Sequence, residues 1–156
     1  MTEKLLQKLS EWHPTGTGRH SLITTIPETG WSVQLLVDKA DSLSCLIWEM
    51  TLVRTDPAPA GITLRSWAEA IAQRVTGLLE PLKLLEVDET RHEAILRSQA
   101  PSPKGDQLAY YEVHLYGTHR ATVSRFHASR NTSGRKQVPY ALTHEVLAKL
   151  AGDITA

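Results

Sequence analysis

One cysteine, one phenylalanine and two methionines in 156 residues, together with a formal net charge of zero, define what this sequence has little of. A lone Cys45 excludes an internal disulfide framework and removes any cysteine-based zinc cluster from consideration. Its neighbours Leu43, Leu46 and Ile47 supply no base or cation that would activate the thiol, so we expect an inert, buried side chain. The 17 Lys and Arg residues balance 17 Asp and Glu residues, which excludes a surface that seeks polyanions as a whole and leaves only local attraction. No apolar stretch approaches the roughly 20 residues of a membrane-spanning helix. Met1 to Trp12 place Glu3, Lys4 and Lys8 where a signal peptide would be continuously apolar. We therefore expect a cytoplasmic, non-membrane protein of bacterial style. Catalytic signatures are missing too: no serine has a GxSxG setting, no HExxH spacing occurs and the carboxylates show no obvious pairing. The expectation is a chain without a catalytic set, a metal or a cofactor.

What is present is enough for one globular domain, 1–156, with a core of its own. Thr2 is placed to cap an opening helix with Leu5, Leu6, Leu9 and Trp12 on one face, ended by His13-Pro14. The period then changes to alternation. His20 to Ile26 and Trp31 to Asp38 read as strands joined at Pro27 to Gly30, and Trp31, Val33, Leu35 and Val37 share a face. A third strand, Leu43 to Arg54, carries its apolar face on Leu46, Trp48, Met50 and Leu52, with Cys45 and Ile47 opposite. After an extended Pro/Ala linker, Thr63 caps a helix whose stripe runs Leu64, Trp67, Ala68, Ile71, Val75, Leu78 and Leu79 up to Pro81. Gly77 within it suggests close approach to the sheet.

Leu82 to Val87 and His92 to Ser98 follow as a strand pair, with a short helical turn at Asp88 to Ala94 as the competing reading. Ala100 to Asp106 reads as a loop, and Leu108 to Tyr116 and His119 to Ala128 as a hairpin about the pair Gly117-Thr118. Ser129 to Val138 is polar and basic and is expected to be a mobile loop. Thr143 caps a final helix that Gly152 would end. The order α-βββ-α-ββ(ββ)-α predicts an α+β fold, an antiparallel sheet with helices packed on one face.

The two-residue turn would set Tyr110 opposite Arg125 and Glu112 opposite Val123. One face of the hairpin would then gather Tyr110, Glu112, His114, Tyr116, His119, Arg125 and His127, a set suited to acid/base work, anion binding or simply a solvated sheet face. From His119 to Lys136 the basic residues Arg120, Arg125, Arg130, Arg135 and Lys136 occur without an intervening Asp or Glu. They form the candidate site for an anion or nucleic acid, although the neutral overall charge argues against a dedicated nucleic-acid binder. All four tryptophans, Trp12, Trp31, Trp48 and Trp67, fall on apolar faces and read as core.

The element order resembles that of the small chaperones of type III secretion systems, on the helix near Thr2 to Trp12, the strands around His20 to Arg54, the helix Thr63 to Leu79, the hairpin Leu108 to Ala128 and the helix from Thr143. Stretches such as LSCLIWEMTLVR and AYYEVHLYG also look like those of uncharacterised bacterial proteins. The chaperone resemblance implies a homodimer and an exposed apolar surface that takes an extended segment of a protein partner. The candidate contacts are Trp48, Met50 and Leu52, and backbone pairing at a free edge would involve His119 to Ala128. A non-catalytic, chaperone-like interaction module is the function this reading favours. The anion binder is the alternative, and a small enzyme using Glu112, His114 and His119 stands third.

Overall fold

Strands and helices form where the two apolar periods alternate along the chain. The computed structural model describes residues 1–156. Its order is α1 (Thr2–Glu11), β1 (His20–Ile26), β2 (Trp31–Ala40), β3 (Ser44–Arg54), α2 (Leu64–Arg74), β4 (Leu82–Asp88), β5 (Glu93–Ser98), β6 (Ser102–Lys104), β7 (Gln107–Tyr116), β8 (Arg120–Ser129), β9 (Arg135–Val138), β10 (Tyr140–Thr143) and α3 (His144–Thr155). The ten strands make one antiparallel sheet with the path β1-β2-β3-β8-β7-β5-β4. α1 packs on β1 and α3, α2 on β4 and β5, and α3 on β3 and β10. This is the expected α+β class and order. No helix is long and apolar enough to cross a membrane.

The core lies between sheet and helices. Val33, Leu35 and Val37 face it from β2, as their alternation predicts. On β3 the expectation fails, because an extra residue at Trp48 interrupts the pairing: Leu36 lies opposite Glu49, but Val37 lies opposite Ile47. Such a bulge reverses the facing of everything beyond it. Cys45, Ile47, Met50 and Leu52 therefore all reach the core, while Leu46 and Trp48 do not. Trp31 and Trp67 meet inside it at 5.7 Å, and the Trp67 indole donates to the Ile154 carbonyl at 2.9 Å.

The helix ends also depart from the sequence reading. Met1, not Thr2, is the N-cap of α1, and the Thr2 hydroxyl donates instead to Ala148 of α3. Thr63 does close a capping box with Ser66. Yet α2 stops at Arg74, so Leu78 and Leu79 lie beyond its stripe, and Gly77 faces Val146 of α3, not the sheet. α3 continues through Gly152, where a Cβ would stand 2.6 Å from the Thr2 hydroxyl. Gly152 therefore lets two helices touch; it does not end one.

The β7–β8 hairpin extends beyond its pairing with β3 and β5. β5 pairs with β7 only over Glu112 to Tyr116, and β3 pairs with β8 only over Arg120 to Val123. Beyond these points the segments expected to be loops supply the flanks: β6 pairs with Ala109 and its neighbours, and β9 with Arg125 to Ala128. At Pro139 the chain leaves β8 and passes as β10 to β3. β8 is consequently an interior strand, and the free-edge reading of His119 to Ala128 is overturned. The hairpin loop has three residues, with Tyr116 opposite Arg120. Arg54 holds it, its N–H donating to His119 O at 2.7 Å and its Nε to Thr118 O at 3.0 Å.

Candidate functional site

One added loop residue shifts the hairpin register by one and turns β8 over relative to β7. Tyr110 lies opposite Phe126 and Tyr111 opposite Arg125, which corrects the expected pairing. On the sheet face away from the helices, β7 presents Tyr110, Glu112, His114 and Tyr116, β8 presents Thr122, Ser124 and Phe126, β5 presents Glu93 and Arg97, and β9 presents Arg135 and Gln137. Arg125 and His127 belong to the helix-side face and leave the cluster. Phe126, absent from the expected set, joins it.

Glu112 is the centre of this face. It is buried, accepts from Arg97 Nε at 2.9 Å and takes two further hydrogen bonds from the Arg135 guanidinium. Burial by itself would raise the carboxyl, but the bonds from Arg135 and Arg97 outweigh it and hold the group below the usual carboxylate range. The same bonds to Glu112 raise Arg135. A carboxylate that accepts from two guanidinium groups in this way anchors both arginines to the face.

The histidines do not assist it. His114 stacks on Tyr116 at 4.2 Å, and its buried Nε2 has no hydrogen-bond partner, with Glu93 Oε2 3.8 Å away. His119 is exposed on the hairpin loop. No three His, Cys, Asp or Glu side chains converge in a way that would hold a metal ion. A cavity of about 140 Å³ lies on this face between Glu49, Ser124, Gln137 and Arg135.

The arginines instead cover aromatic rings. Arg135 lies 3.7 Å from the Phe126 ring, Arg120 4.1 Å from Tyr116, Arg97 5.4 Å from Tyr110 and Arg19 3.8 Å from Trp48. Arg97 escaped the sequence reading because it is isolated among ordinary strand residues, and Arg19 because it ends a glycine-rich connector. Only the register brings them to their rings.

The five residues proposed as an anion site are dispersed. Arg125 is buried and forms a two-pronged pair with Glu80, at 3.1 and 3.2 Å. Glu80 also accepts from Ser98 at 2.7 Å and Ser102 at 2.9 Å, while Ser98 takes the Tyr111 N–H at 2.8 Å. Burial pushes the Glu80 carboxyl up, and the bonds from Arg125, Ser98 and Ser102 more than reverse this, leaving it below its ordinary value. Arg135 is held by Glu112, Arg120 covers Tyr116, and Arg130 and Lys136 are exposed. The set is therefore not one site.

The partner contacts separate in the same way. Met50 and Leu52 are 0% exposed, so neither is available to a partner; Trp48 alone of the three stands on the open face, half-buried beneath Arg19. Cys45 is 1% exposed, and burial pushes its thiol up to about 11. No protein-family model, curated protein or solved structure matches the chain.

Proposed function

We propose that this chain is a non-catalytic protein-interaction module that receives an extended partner segment across the open face of its sheet. The observation that carries the reading is the set of four arginine-covered aromatic residues on that face, Trp48, Tyr110, Tyr116 and Phe126. Tyr, Trp and Arg are the residue types that dominate binding hot spots, since they bury large areas with few rotors and supply directed donors. A guanidinium over a ring is attracted by the ring quadrupole, and that attraction grows as water is excluded. A partner that covers the face therefore strengthens contacts already formed.

β1 adds a second feature, because it pairs only with β2 and leaves its outer backbone groups free for strand addition. Chaperone-like action as a homodimer in the bacterial cytoplasm is the finer form of this proposal. The engagement of Glu112 by Arg97 and Arg135 speaks against the enzyme reading, and the pairing of Arg125 and Arg135 with carboxylates weakens the nucleic-acid reading. The test is affinity capture from native lysate with nuclease present, comparing the wild type with Trp48→Glu and with Leu79→Glu on the opposite face. A stoichiometric protein retained by the wild type and by Leu79→Glu, and weakened at least tenfold by Trp48→Glu, is the expected result. Capture that Trp48→Glu leaves unchanged, or that consists only of nuclease-sensitive material, overturns the proposal.

A further inference from the structure

Because the β7–β8 hairpin outruns the helix layer, its helix-side face is left uncovered at one end. A concavity of about 600 Å³ opens there between the 75–81 segment, β6 and the β9–β10 junction. This volume falls within the roughly 300–1,000 Å³ of ordinary small-molecule sites. Its floor is apolar and aromatic, formed by Ala109, Tyr111, Val138 and Tyr140, and Leu79 stands at its lip 74% exposed. Arg125 also reaches the floor, but its charge is balanced by Glu80 and its guanidinium lies 4.1 Å from the Tyr111 ring.

The rim is different in character. Lys104 from β6 and His127 from β8 line it, and Lys136 of β9 lies directly across from His127. Neither lysine is in an ion pair with any carboxylate, including Asp106 on the adjoining turn. One unpaired cation, Lys104, therefore lines a half-apolar hollow, and a second, Lys136, stands beside its His127. Both lysines are exposed, so their attraction for an anion weakens as salt is added.

We propose that this concavity binds a small amphipathic organic anion, with its anionic head among Lys104, His127 and Lys136 and its apolar body against Tyr111, Tyr140 and Leu79. His127 provides an internal reporter of the head. The charged groups around it are Lys104 from β6, Arg125 on its own strand and Lys136 from β9, with Glu80 beyond Arg125. Burial first, and then those three cations, hold its imidazolium below the ordinary value. A bound anion opposes the cations, so by linkage its binding raises the His127 titration midpoint. The site lies on the opposite face from the aromatic and arginine cluster, so the two proposals stand or fall separately.

The experiment uses the full chain and the fluorescent probe 1-anilinonaphthalene-8-sulfonate, displaced by decanoate, by decyltrimethylammonium or by inorganic phosphate. Saturable probe binding reversed by decanoate is expected, with the cationic amphiphile and phosphate each at least tenfold weaker. The double variant Lys104→Glu/Lys136→Glu is expected to weaken decanoate at least tenfold with an unchanged melting temperature, and decanoate to move the His127 NMR titration upward. Equal displacement by decyltrimethylammonium removes the charge argument, and equal binding of phosphate removes the apolar body. Unchanged affinity in the double variant, or no saturable binding up to millimolar decanoate, overturns the site altogether.

Discussion

Replacing Arg125 by Met is the sharpest test of how this fold tolerates charge in its interior. Glu80 is 4% exposed and receives two hydrogen bonds from Arg125, one from Ser98 and one from Ser102. Methionine keeps much of the apolar stem but leaves a buried carboxylate with only hydroxyl donors. Breaking a buried pair on one side costs about 3–5 kcal/mol. At roughly 2–4 °C per kcal/mol for a chain of this size, the melting midpoint falls by about 6–20 °C.

The pH dependence separates this cause from simple loss of packing. In the wild type the folded Glu80 pKa is depressed, so its contribution is present above the unfolded value and is lost as pH falls through the folded one. In Arg125→Met burial is offset only by the Ser98 and Ser102 bonds, and the folded pKa is expected to rise above the unfolded value. The penalty is then full near neutral pH and is relieved as pH falls toward 5, by about 1.4 kcal/mol for each unit of that rise. Urea unfolding followed by tryptophan fluorescence at pH 7 and pH 5 measures the gap between the two proteins. A cost below about 1 kcal/mol, against the 3–5 expected for a broken buried pair, or a gap that does not narrow at pH 5, refutes the reasoning.

Three further outcomes follow from local geometry. Cys45, buried and raised to about 11, is expected to react with a thiol reagent at pH 8 only at the rate of global unfolding, and completely in urea; rapid labelling of the native protein contradicts its placement. Because its folded pKa exceeds the unfolded value, it also lowers stability as pH rises from the unfolded value toward 11. Gly30 has φ +72°, and a Cβ there would stand 2.8 Å from the Asp56 carboxylate and 3.1 Å from Asp56 Cβ, whereas at Gly61, φ +84°, nothing lies within 4 Å. Both alanine variants meet the left-handed backbone cost of about 1–2 kcal/mol. Gly30→Ala should be the more destabilised of the two in thermal melts, and equal losses would show that the Asp56 contact has no cost.

The order of helices and strands, the cap at Thr63 and the inward faces of β2 and α2 were all legible in the residues, because each depends on neighbours a few positions away. A period of two or near four, a capping hydroxyl and a chain-breaking proline act within one turn or one strand. Residue counts in loops and bulges escaped that reading. One extra residue at Trp48 sent Met50 and Leu52 to the core and Trp48 to the open face, and one extra residue in the 117–119 loop carried Arg125 from Glu112 to Glu80. Their energetic cause is remote: the His119 and Thr118 carbonyls are held by Arg54, and Glu80 comes from the segment before β4. β6 and β9 likewise look like loops in isolation and become strands only because the long β7–β8 hairpin offers them unpaired backbone. Local chemistry thus chose the elements, while long-range hydrogen bonds and the burial of charge chose which side chains meet. The candidate sites belong to that second choice.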